Sequence, residues 1–125
     1  MDEISVSSHY TEPPILLNIE KASLDNQFFR RVIHTDARQQ LVLMSLAPRQ
    51  EIGLEKHPVT TQFIRVESGT GYVQLGDKRF PLEDGDAIVI PFNTLHNIVN
   101  TSYTKKLSLY TIYSPPHHPP GTIKF

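Results

Sequence analysis

Four residues have the types and spacing for chemistry: Glu55 and His57, then Gln62 five residues on, and His96 far downstream. Residues two apart in a strand point to the same face, so Glu55 and His57 present a carboxylate and an imidazole side by side. Pro58 ends that ladder, and Val59-Thr60-Thr61 is short enough to reverse the chain, so the next strand begins at Gln62, close to His57. His96 follows a strand and a bend marked by Pro91, and opens another strand. A single His or Glu in a strand is ordinarily a surface or satisfied residue. A charged Glu55 facing a barrel interior is different, because burying it alone would cost several kcal/mol. A metal ion or a cation-binding pocket meets that need. The chain has no Cys, so any metal must use imidazole, carboxylate, amide or water ligands. Disulfides and a cysteine nucleophile are excluded on the same ground.

The elements that must position these residues are strands. Apolar runs of strand length recur at residues 28–34, 40–47, 61–67, 71–75, 78–82, 86–91, 96–100 and 106–113. Several alternate with period two, as Leu41/Leu43 against Val42/Met44, and they are rich in Val, Ile, Tyr, Phe and Thr. Ser68-Gly69-Thr70-Gly71, Gly76-Asp77 and Glu83-Asp84-Gly85-Asp86 lie between them as turns. About eight short strands in one domain predict an all-β barrel or sandwich. Only residues 24–29 have weak helical character. Residues 1–20 read as a loose arm broken at Pro13-Pro14, with a short strand over Ile15–Ile19 suited to a partner subunit. Residues 21–114 form the barrel, and 115–125 a Pro-rich tail that runs extended over the surface, exposing His117 and His118, with a lid or a metal contact by these two as the alternative.

The chain has 125 residues, with ten Pro, six Gly and a formal charge of −1. That length makes one domain, and the near-neutral charge gives no reason to expect nucleic acid. No stretch has the length of a transmembrane helix, and the acidic N-terminus lacks the regions of a signal peptide. The expectation is a soluble, cytoplasmic protein.

Two segments, residues 53–69 and 85–100, resemble the paired motifs of the cupin superfamily. Gly53, His57, Gly69, Gly85, Pro91, His96 and Asn100 fall on that pattern, and Asn93 replaces the second motif's Gly. The resemblance spans roughly residues 40–113 and implies a double-stranded β-helix, or jelly-roll barrel. It also implies one divalent metal ion, held by Glu55, His57, Gln62 and His96. The family's usual set is three His and one Glu. Here Glu55 takes a His position and Gln62 takes the Glu position, so the single negative charge has moved without being lost. Gln62 would ligate through its carbonyl oxygen or hold a metal-bound water. The remaining two-His, one-carboxylate set suits iron, manganese, nickel, cobalt or zinc.

Other residues are weaker candidates. Met44 and Tyr110 are assigned to the wall of a substrate pocket, with Tyr113 as an alternative hydrogen-bond donor. His9 and His34 have no partner at ligand spacing. The resemblance implies a small-molecule ligand and a homodimer. The leading functional expectation is an isomerase or lyase acting on a sugar or uronate, with the metal as Lewis acid and Glu55 moving a proton. A non-haem iron dioxygenase and a non-catalytic metal or small-ligand binding module are the alternatives.

Overall fold

The computed structural model describes residues 6–125. Residues 1–5, the start of the expected arm, lie outside the described residues. The short helix α1 (Ile19–Asp25) precedes nine strands. These are β1 (Arg30–Thr35), β2 (Gln40–Leu46), β3 (Thr61–Ser68), β4 (Gly71–Leu75), β5 (Lys78–Leu82), β6 (Ala87–Ile90), β7 (His96–Asn100), β8 (Leu107–Ser114) and β9 (Ile123–Lys124). They form an antiparallel six-stranded sheet, β6-β3-β8-β2-β1-β9, and a three-stranded sheet, β5-β4-β7. This is the expected jelly-roll barrel.

The inner faces of the two sheets share one core. Val42, Met44, Leu46, Ile64, Val66, Leu107 and Leu109 come from the larger sheet, and Val73, Leu82 and Ile98 from the smaller. Period-two alternation sets the inward phase, most plainly in β3, where Gln62, Ile64 and Val66 are buried and their neighbours are not. Gly71 is fixed by close approach, since a Cβ there would collide with the Val99 carbonyl oxygen. Asn100 is fully buried, and its Nδ2 donates to the carbonyls of Leu46, Ala47 and Lys105. It thereby ties three segments together at one end of the barrel.

Two expectations at the ends of the chain are corrected. Residues 12–18 form no strand: Pro13 and Pro14 remove two backbone donors, and Asn18 caps α1 by accepting from the Lys21 N–H at 2.9 Å. The helix therefore begins at Ile19 and ends at Asp25, overlapping only the first two residues of the segment where weak helical character was expected. The tail also departs from its expected surface path. Pro116, His117 and His118 are buried, and β9 pairs with β1 through Arg30–Lys124 and Arg31–Ile123. Among the described residues no helix is long and apolar enough to cross a membrane.

Candidate metal centre

Residues 51–57 run beside β7 without forming a regular strand. Backbone pairing at Glu55 is reciprocal with His96, each N–H donating to the other's carbonyl at 2.9 Å. The two motifs are thus joined at two of the candidate ligand residues. A second tie comes from the Asn93 N–H, which donates to the His57 carbonyl oxygen. Asn93 has φ of +64°, a left-handed conformation that Asn tolerates better than other side chains bearing a Cβ. Its presence in place of Gly keeps the bend.

His57, Gln62 and His96 are buried, whereas the Glu55 side chain retains 27% of its accessible area and faces the mouth. The His57 and His96 rings are 4.9 Å apart. The His96 Nδ1–H donates to the Thr94 carbonyl at 2.7 Å when that nitrogen carries the proton, which leaves Nε2 with its lone pair available. Gln62 Nε2 donates to Thr111 Oγ1 at 2.9 Å, while its buried Oε1 has no hydrogen bond within 3.5 Å among the described residues, only a longer side-chain interaction with the His57 imidazole. A buried carbonyl oxygen left in this way suits a cation or a water held by one.

A fifth residue enters from the tail. Glu55 Oε2 lies 3.9 Å from Nε2 of His57 and 3.9 Å from Nε2 of His117. Donor atoms of Glu55, His57 and His117 lie within 4.8 Å of one another. Ligands at 2.0–2.2 Å from one ion lie roughly 3–4.4 Å apart, so small side-chain adjustments would bring all three onto one ion. The group could hold an ion. His117 corrects the expectation of an exposed pair, because it is buried and its ring packs 4.1 Å from that of His57. The His118 ring packs 4.6 Å from that of His117, with Nε2 3.3 Å from the Tyr113 hydroxyl.

Burial keeps the His57 and His118 imidazoles neutral. His57 is pushed down to about 4, first by desolvation and then by His117 and His96. His118 is pushed down to about 3 by burial and then by Arg30. Burial and then Glu55 raise the Tyr113 phenol, so it stays protonated and can donate. Metal ligation needs unprotonated imidazole, and His57 supplies it near neutral pH.

The pocket assignments divide. Met44 is buried on the inward phase of β2, in the apolar core. Tyr110 faces outward beside Phe63, with ring centroids 6.2 Å apart, because it is out of phase with inward-facing Leu109, Thr111 and Tyr113. Tyr113, three residues on, takes the inward place and packs 6.1 Å from His57 and 5.4 Å from His117.

A family model described as "Cupin domain" matches residues 42–113. The chain is 49% identical over 111 residues to protein L612 of Acanthamoeba polyphaga mimivirus, covering 86% of this chain and 69% of that one. It is 42% identical over 120 residues to YrkC of Bacillus subtilis, covering 91% of this chain and 64% of the relative. The chain thus spans about two thirds of the length of these curated relatives. The crystal structure of BH2720 from Bacillus halodurans superposes with a TM-score of 0.88 at 40% identity, covering 94% of this chain and 93% of that one. With the motif residues, the barrel and the family match in agreement, the chain belongs to the cupin family.

Proposed function

We propose that the chain is a metal-dependent cupin in which Glu55, His57, Gln62 and His96 hold one divalent ion and act on a small oxygenated molecule of the sugar or uronate type. The observation that carries this reading is the donor set itself. The neutral His57, the buried His96, the Gln62 Oε1 and the solvent-reachable Glu55 sit at one end of the barrel, with His57 close to both Glu55 and His96. When bound, the ion would supply Lewis acidity toward a carbonyl or hydroxyl oxygen.

The residues of the chain do the rest. His57 is fixed by burial, and Gln62 and His96 by burial and a second hydrogen bond each, so they form the rigid wall. Glu55 faces the mouth and is the carboxylate placed to take a proton from a hydroxyl and return it. Tyr113 presents a protonated phenol beside His57 and His117. A panel of sugars and uronates, assayed with metal-loaded protein, tests the reading. Turnover by the native chain that Glu55→Gln abolishes even at saturating metal supports it, and absence of turnover across the panel overturns it.

A non-catalytic binding module is the second reading, favoured by the buried His117 ring packed against His57. Stable metal content without turnover supports that alternative. For assembly, we propose a homodimer formed through the arm, where Ile15 is half-exposed and Leu16 fully exposed beside Pro13-Pro14. Light scattering should show a dimer that Ile15→Glu with Leu16→Glu converts to a monomer. A monomeric native chain overturns this.

A further inference from the structure

Gln40, at the start of β2, is fully buried and in the inward phase of Val42, Met44 and Leu46. A primary amide so placed costs several kcal/mol unless its polar atoms are satisfied. Both ends are satisfied largely by the tail. Oε1 accepts from the backbone N–H of His117 at 3.1 Å and of His118 at 2.9 Å. Nε2 donates to the His118 carbonyl at 2.6 Å and to Thr35 Oγ1 at 3.0 Å. One side chain of the barrel thus grips two consecutive residues some 77 positions later in the chain. Two lighter ties flank the grip: Thr60 Oγ1 donates to the Pro115 carbonyl at 3.2 Å, and Tyr113 meets His118.

The grip fixes position as well as path. It sets the His117 backbone so that its ring packs 4.1 Å from His57 and its Nε2 lies 3.9 Å from Glu55 Oε2. A tail that only covered the barrel end would be served by any apolar side chain there. An imidazole beside a carboxylate and a second imidazole is a ligand geometry.

We infer that residues 116–118 form a strap, that His117 is a tail-supplied ligand of the metal centre, and that Gln40 is the positioning residue that seats it. The inference rests on the metal-centre reading above and extends it. Unseating the strap removes one nitrogen donor and uncovers the inner wall of the site. Metal affinity and access to the centre are therefore coupled through Gln40, a residue that does not itself ligate.

The test is titration of metal-free protein with Co²⁺, read from its visible absorption bands, for the native chain, His117→Ala, Gln40→Met and the double variant. The native chain binds with one set of bands. His117→Ala weakens binding by about 10- to 100-fold and alters the bands. Gln40→Met shifts the bands the same way with a loss of about tenfold, and the double variant is no weaker than His117→Ala. If Gln40→Met fails to fold, as circular dichroism would show, His117→Ala alone decides whether the tail supplies a ligand. Native bands and affinity in His117→Ala, with Co²⁺ bound by the native chain, overturn the strap and leave the metal centre standing. No Co²⁺ uptake by the native chain overturns both.

Discussion

The two ends of the barrel interior are built from the same three strands and do opposite things. Toward one end β2, β3 and β8 place Met44, Leu46, Val66, Leu107 and Leu109 inward, in register as Met44–Leu109, Leu46–Leu107 and Val66–Leu109. Toward the other, the same phase carries Gln40, Gln62, Thr111 and Tyr113, again in register as Gln40–Tyr113 and Gln62–Tyr113. The apolar end holds the fold by burial. The polar end faces His57, His96 and the strap, and its buried polar groups are tolerated because most are hydrogen-bonded. A change of residue type along one unbroken alternation divides stability from chemistry.

That division can be broken by substitution at each end. Leu109→Ala, at the apolar end, should destabilise the fold by about 2–5 kcal/mol, measured by urea denaturation, with Co²⁺ affinity unchanged in the folded fraction. A loss under 1 kcal/mol would show that this end is not the anchor. Asn100→Ala removes the amide that serves three carbonyls and should cost about 1–3 kcal/mol, again with no effect on metal. Altered metal affinity in that variant would argue against the separation of the two ends.

The polar end should show itself through pH. In the metal-free protein His118 stays neutral in the fold down to about 3, whereas in the unfolded chain it protonates near its ordinary value of 6.5. The unfolded state therefore takes up the proton first as pH falls. Stability is unaffected above about pH 6.5 and declines below it until the folded value is reached. His118→Gln should remove about 1 kcal/mol of the difference between pH 7.5 and 5.5 in urea midpoints extrapolated to water. An unchanged pH slope would show that His118 is not held neutral. The smallest effect belongs to Tyr113→Phe, whose hydroxyl makes a long contact of 3.3 Å with His118. It should shift stability by no more than about 0.5 kcal/mol.

The difference between the ends also explains what could be read in advance. The strands were legible because β3 and β4 alternate and Gly-rich turns bound them, so β4, β5 and β7 fall where the pattern put them. Glu55 and His96 were expected at one site from the family resemblance, but their backbone pairing was not read from the sequence. Assigning Tyr110 to the pocket was a phase error, since Leu109 and Thr111 already fix the inward positions of β8. The strap was hidden by its own composition, because Pro-Pro-His-His-Pro-Pro resembles a surface linker. One signal did point to it. Gln40 shares a phase with Val42, Met44 and Leu46, and a buried amide there requires a partner from elsewhere in the chain.

The central claim is that the polar end of the barrel is a metal centre, and elemental analysis of untagged protein tests it most directly. The native chain should contain close to one divalent ion per chain, and the folded His57→Ala, His96→Ala double variant essentially none. Stoichiometric metal persisting in the double variant, or a native chain without metal after incubation with divalent ions, would contradict the account.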